Sequence, residues 1–367
     1  VALIAIALGA IALPSADSQL RATSLLLRIA DPHDSSALAH YGVHAVEQSE
    51  VFTFGDRIRA RIYRPVGAAN PPGMVIVHGV HRLGIEEPRL VAFSRDMAAS
   101  GMVVLTPELR DLADYRITPA SIAPIGEAAQ QLKRITGAPS VGVMGLSFAG
   151  GLSVLAAADP RWSNDISYVV SIGGHDDLSR VTTFFATDEI PRPDGTLVHF
   201  PAHEYGALVL VYAHPEDFFA AADVPLAREA IRLHLWEQPQ QSDAVAARMS
   251  SAGKAKLKLI FDPKQKSAIR DELLASIARH QDEMPAVSPH GHLAGLHAKV
   301  LLLHGAEDSV IPAVESLWLA KDSGPHLQDA LITPLLTHVD VGKQPPLGER
   351  LELVHFMSLM LGDGQGS

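Results

Sequence analysis

Short, wholly apolar runs recur along the chain, separated by stretches whose apolar residues return every three or four positions. Residues 74–77 (MVIV), 102–106 (MVVLT), 141–144 (VGVM), 168–172 (YVVSI) and 300–304 (VLLLH) are too short for helices, and each is bounded by turn residues. They read as buried strands. Between them, 88–100, 122–135 and 152–158 carry helical patterns, and 109–118 reads as a loop. The β-α-β-α alternation predicts an α/β fold, a mostly parallel central sheet with helices on both faces. Two further runs around Gly55-Asp56, at 51–54 and 58–63, predict a hairpin. Ahead of it, Leu20, Leu25, Leu26, Leu27 and Ile29 lie among Arg21 and Arg28, an amphipathic helix that ends at Asp31-Pro32. The alternation pauses after Gly173 and resumes at residue 300, with a strand at 330–336 and a terminal helix at 351–361. The interval is too long for a connection and mostly helical in pattern, so it predicts an inserted helical cap.

The resulting division is 1–16, a signal peptide or membrane anchor; 17–49, an N-terminal helical segment; 50–178, the first part of the core; 179–295, the cap; 296–361, the second part of the core; and 362–367, a polar tail. The first segment rests on an apolar run, 1–13, that stops at Pro14. Such a run is shorter than the roughly 20 residues of a membrane-spanning helix and suits a signal-peptide core. It predicts an exported or membrane-anchored protein, with a buried N-terminal helix as the competing reading.

With 367 residues, 47% of them hydrophobic, the chain is large enough for one big domain carrying an insertion. A formal charge of −11 with no Lys/Arg cluster excludes a nucleic-acid surface as its main business. The absence of cysteine excludes disulfide scaffolding, thiol nucleophiles and cysteine metal sites. The histidines, including His290 and His292, lack the helix spacing of a zinc site, so metal catalysis is not expected.

Candidate chemistry gathers at the ends of the predicted strands. The run at 141–144 meets Gly145-Leu-Ser147-Phe-Ala149-Gly150-Gly151 and then a helix, which places Ser147 at the apex of a sharp strand–helix turn with its hydroxyl exposed above the sheet. Ala149 stands where the G-x-S-x-G pattern has its last glycine. After the strand at 74–77 comes His78-Gly79-Val80, whose main-chain N–H groups are candidates to face a developing oxyanion, beside the plainer reading of a strand-end turn. Asp308 follows the strand at 300–304 and precedes a segment able to start a helix; Glu307 is its alternative, and capping is the bland role for both. His338 follows the strand at 330–336, while His355 competes from the terminal helix.

The order Ser147, Asp308, His338, together with His78-Gly79 and the His304-Gly-Ala-Glu-Asp308 segment, resembles the α/β-hydrolase superfamily, with bacterial esterase-like and dienelactone-hydrolase-like serine hydrolases the nearest in character. The resemblance covers about 50–178 and 296–361. It implies a serine esterase with Ser147 as nucleophile, His338 as base, Asp308 as its orienter, and the N–H groups of Phe148 and of Gly79 or Val80 as the oxyanion hole. No cofactor or metal is implied. The expected substrate is a small ester, apolar on one side, because the cap carries Phe184, Phe185, Tyr205, Tyr212, Phe218 and Phe219; simple packing of those rings is the other reading. Amidase, peptidase or acyltransferase chemistry and a noncatalytic binding role on the same fold remain the alternatives.

Overall fold

A computed structural model describes residues 15–53, 57–337, 340–341 and 347–363. The apolar run at 1–13 and His338 lie outside these described residues. Helix α1 (Ala16–Ala30) begins where Ser15 Oγ accepts the Ser18 N–H at 3.1 Å, and it buries Ala22 and Leu25. Strands β1 (Val46–Thr53) and β2 (Ile58–Pro65) form the expected antiparallel hairpin, with Thr53 opposite Ile58. Strand β3 (Gly73–Val77), helix α2 (Pro88–Ala99), β4 (Val103–Pro107), the short α3 (Arg110–Ala113), α4 (Ile122–Thr136), β5 (Val141–Leu146), α5 (Phe148–Ala158) and β6 (Ile166–Ile172) then alternate. Proline at its first position and Glu87 accepting the Leu90 N–H start α2; Gly137, at φ 71°, ends α4.

Between β6 and the next core strand come α6 (Leu178–Thr187), a small hairpin of β7 (Glu189–Pro191) and β8 (Leu197–His199), and α7 (Glu204–Ala213), α8 (Val224–Leu235), α9 (Pro239–Ala246), α10 (Ser251–Phe261) and α11 (Lys266–Arg279). The core resumes with β9 (Lys299–Gly305), α12 (Val314–Ser323) and β10 (Leu327–Thr333), followed by the two-residue strands β11 (Leu336–Thr337) and β12 (Asp340–Val341) and the terminal α13 (Leu347–Asp363).

The main sheet has eight strands in the order β1-β2-β4-β3-β5-β6-β9-β10; β2 runs antiparallel to both its neighbours, β1 and β4, and the remaining pairs are parallel. Period-two alternation divides its side chains between two cores. Val75, Val77, Val143, Val169 and Leu302 pack with α4, α5 and the helices of the insertion. Met74, Ile76, Met144, Val170, Leu301 and Leu303 meet Leu25 of α1, Met97 of α2 and Phe356 and Met360 of α13. The insertion docks on the core by hydrogen bonds from the His203 N–H to Ser309 O and from Trp318 Nε1 to Pro191 O, both 2.8 Å, and by the Tyr115–Tyr205 ring pair at 5.8 Å.

Three local expectations are corrected. The loop at 109–118 contains the one-turn α3. The strand expected at 330–336 runs instead over Leu327–Thr333, because β10 is an edge strand whose half-exposed residues pair with β9, and Pro334 has no N–H with which to continue the ladder. The insertion also holds the β7–β8 hairpin, whose three-residue strands have no apolar run to announce them. Among the described residues, no helix is long and apolar enough to cross a membrane.

Candidate active site

Ser147 lies between β5 and α5 at φ 56°, ψ −135°, a region that a side-chain-bearing residue enters only under constraint. The constraint is visible on both sides of it. Its N–H donates to Ile172 O of the neighbouring strand at 2.8 Å, and its carbonyl accepts the Gly150 N–H at 2.8 Å. The strand passes so close to the helix that a Cβ on Gly145 would stand 2.2 Å from Ala149 O, whereas the Ala149 side chain itself is buried without disturbing the turn. The close approach therefore belongs to Gly145, and alanine at 149 is compatible with the sharp turn. One expectation fails: Ser147 is not exposed above the sheet but 5% accessible. The loop after β3 lies against it, since a Cβ on Gly79 would meet Ser147 Cβ at 3.2 Å and Leu146 O at 3.3 Å.

That loop is fixed by His78, a buried imidazole bonded through both nitrogens. Nε2 accepts the Leu109 N–H at 2.9 Å, so Nδ1 carries the proton and donates to Gly79 O at 2.7 Å. Burial holds its pKa down, at about 4, which keeps this tautomer neutral. Because the peptide plane is trans, turning the Gly79 carbonyl toward the imidazole turns the Val80 N–H the opposite way. Phe148 opens α5, and its N–H is one of the first-turn donors that a helix leaves without an intrahelical acceptor. The role of His78 was not foreseen; the His-Gly pair adjoining a buried strand was its only signal.

Asp308 follows β9 and is buried, 1% accessible. Its Oδ1 accepts the N–H groups of Val310 and Ile311 at 2.8 and 3.0 Å, which orients the carboxylate within its own loop. It does not start a helix: α12 begins only at Val314. Behind it, His304 donates from Nε2 to Ile311 O at 2.8 Å and accepts at Nδ1 from Ser316 Oγ at 2.7 Å, with Asp308 Oδ2 3.5 Å from Nε2. His355 sits half-buried within α13.

A second buried group sets the neighbouring strand end. The Arg180 guanidinium bonds Asp176 Oδ2 at 2.6 Å and Glu315 Oε1 at 2.9 Å, and Glu315 Oε2 accepts the N–H groups of Asp176 and Asp177, each at 2.8 Å. This ties the loop after β6 to α6 and α12. His175 in the same loop packs 5.4 Å from the Phe148 ring and donates to Val287 O at 2.8 Å; burial lowers its pKa to about 4. Of the six aromatic residues singled out in the insertion, Phe184, Phe185, Tyr212, Phe218 and Phe219 are buried in the main hydrophobic cluster and Tyr205 is half-buried against it. A cavity of about 310 Å³ opens inside the insertion beside Asp188, Leu208, His234, Phe261 and Lys266; none of the candidate site residues lines it.

No family model matches the chain, and no curated protein matches it. Solved structures do. An esterase from Pyrobaculum calidifontis aligns at 19% identity and TM-score 0.47, covering 95% of this chain and 92% of its own. The 2-hydroxy-6-oxo-6-phenylhexa-2,4-dienoate hydrolase of Rhodococcus sp. strain RHA1 aligns at 18% and 0.40, covering 79% and 90%. Porphyromonas gingivalis dipeptidyl peptidase 4 aligns at 12% and 0.49, covering 90% of this chain but 38% of that one. The fold assignment itself rests on this chain's own strand order and turn. An eight-stranded sheet ordered 1-2-4-3-5-6-9-10, with a strained serine between β5 and the following helix, gives the chain the α/β-hydrolase fold.

Proposed function

We propose that the chain is a serine hydrolase that cleaves small carboxylic esters through an acyl-enzyme. The observation that carries this reading is Ser147 held at positive φ between β5 and the N-terminus of α5. A strained backbone at the carboxyl edge of a parallel sheet is costly unless it presents something, and here it presents a hydroxyl beside free helix N–H groups. In the proposed mechanism His338 removes the serine proton as Oγ attacks the ester carbonyl, and Asp308 holds the imidazole in the right tautomer. The tetrahedral oxyanion is received by the N–H of Phe148 and that of Val80, or of Gly79, each donor being worth roughly 3 kcal/mol. His338 then protonates the leaving alcohol, and water repeats the attack on the acyl-enzyme.

That the ester is apolar on one side is part of the same proposal, motivated by the aromatic content of the insertion. A panel of p-nitrophenyl esters of rising acyl length, run beside amide, lactone and acyl-transfer substrates, tests the substrate class. The proposal expects ester hydrolysis to dominate and Ser147→Ala to lower kcat by ~10³-fold or more; faster turnover of amides, or activity that survives the substitution, contradicts it. We further propose that the apolar run at 1–13 exports the protein or anchors it to a membrane. Fractionation of cells expressing the chain with and without residues 1–16 checks this, since only the longer form should sediment with membrane or reach the cell exterior.

A further inference from the structure

Two helix C-termini meet inside the insertion, each with a histidine at its cap. The His214 N–H closes α7 on Leu210 O, and the His280 N–H closes α11 on Ser276 O. The imidazoles stack with centroids 3.4 Å apart and planes 13° from parallel. Carboxylates surround them. His280 Nε2 lies 3.0 Å from Asp217 Oδ2 and its Nδ1 2.9 Å from Glu283 Oε1; His214 Nδ1 lies 3.6 Å from Glu216 Oε1 and its Nε2 3.9 Å from Glu283 Oε2. Each ring thus turns one nitrogen to an outer carboxylate and the other to the shared Glu283.

A neutral imidazole has one N–H, so it can satisfy only one of two carboxylates. The remaining nitrogen needs a proton or a metal ion between its lone pair and the acid. The surroundings favour a cation: two helix C-termini contribute negative potential, and the two arginines present are engaged on the outer acids, Arg228 with Glu216 and Arg279 with Asp217. Among the described residues, Glu283 pairs with the two imidazoles alone. An imidazole whose far nitrogen is held by a carboxylate is the arrangement typical of a metal-binding histidine.

We propose that His214 Nε2, His280 Nδ1 and Glu283 bind a zinc ion that clamps the end of α7 to the end of α11. Two imidazoles and a carboxylate suit borderline zinc better than calcium or magnesium, which prefer all-oxygen sites. One potential ligand atom from each of the three residues already lies within 4.8 Å of the other two. Because the rings are parallel, sharing one ion requires one of them to turn about its Cβ–Cγ bond; both side chains keep an edge in solvent, 22% and 18% accessible. The clamp is structural and independent of the reading of Ser147.

The test uses the full chain, stripped with EDTA and dialysed, then titrated with zinc chloride against a competing chelator, with bound metal and melting temperature as readouts. The expected result is one zinc per chain with a raised melting temperature, and an affinity at least ~10-fold weaker in Glu283→Gln and in His214→Gln. Glu283 is 66% accessible, so its substitution leaves the packing intact and keeps the test valid if the histidine variant misfolds. Asp322→Asn is the control, because Asp176, His290 and Asp322 form a second group of potential ligands. No uptake by the unaltered chain, unchanged affinity in Glu283→Gln, or loss of zinc in Asp322→Asn instead would each overturn the assignment.

Discussion

Two glycines set the space around Ser147, and they differ in what meets them. A methyl group on Gly145 would press on a backbone oxygen, Ala149 O at 2.2 Å, which cannot move without shifting α5. Gly145→Ala is expected to cost about 2 kcal/mol or more, read as a lower urea midpoint, along with activity. Ala149→Gly should leave the activity nearly unchanged, because the side chain it removes is not what shapes the turn. On Gly79 the methyl would stand 3.2 Å from Ser147 Cβ and 3.3 Å from Leu146 O, a crowding that a few tenths of an ångström relieve. Gly79→Ala should therefore fold normally yet lower kcat for a short ester by roughly 10- to 100-fold, as a small displacement of reacting groups does. A lowered urea midpoint with unchanged kcat would assign Gly79 to packing alone. The turn at Ser147 was legible in the sequence because every part of it is local: small residues at 145, 150 and 151 around a serine between an apolar run and an alanine-rich one. The burial of that serine was not, since it depends on a loop some seventy residues earlier.

At the scale of elements, the two buried histidines beside the site make a pH-dependent contribution whose sign follows from their environment. His78 fixes the loop after β3 and His175 the loop after β6, each neutral in the folded chain with a pKa near 4. In the unfolded chain both would titrate near 6.5. Unfolding then takes up protons below that pH, so their contribution is complete above about 6.5 and is lost as the pH falls toward 4. The urea midpoint is expected to drop between pH 7 and pH 4.5, and less steeply in His78→Asn; an equal slope in the variant contradicts the assignment. His78→Asn should also lower kcat, because Gly79 O and the Leu109 N–H lose the ring that links them. The sheet was read well where strands are central and buried on both faces, as in β3, β5 and β9. Its edge was less legible, because β10 carries the polar Gln328 and Asp329 near its start, where its register on β9 shifts, and because the strands of the β7–β8 hairpin are too short to show a period.

For the whole molecule, the salt-bridged group of Arg180, Asp176 and Glu315 joins elements 139 positions apart in sequence, which is why no local pattern disclosed it. It holds the carboxyl ends of β6 and β9 in relation to each other, and with them the loops that carry His175 and Asp308. Burial, reinforced by the charge of Glu315, pushes the Asp176 carboxyl up to about 7 and outweighs the pull of Arg180. A raised carboxyl pKa means that the folded chain keeps a proton which the unfolded chain releases near 4, so this group's contribution declines as the pH rises from about 4 to 7. The melting temperature of Asp176→Asn, measured against the unaltered chain, should accordingly become more favourable between pH 5 and pH 8. The opposite trend would show that Asp176 is ionised and held by Arg180 throughout. The helical insertion was legible as a break in the alternation. Its zinc-ligand geometry was not, because His214 and His280 converge only through the ends of two separate helices.

The most direct test of the central claim is covalent. A fluorophosphonate reacts with a serine only where a base activates its hydroxyl and an oxyanion site receives the phosphoryl oxygen. Incubating the full chain with such a probe and locating the adduct by mass spectrometry is expected to give a single modification on Ser147, absent from Ser147→Ala and strongly slowed in His338→Ala and Asp308→Asn. An unmodified chain, or an adduct that persists in Ser147→Ala, would contradict the assignment of Ser147 as the nucleophile.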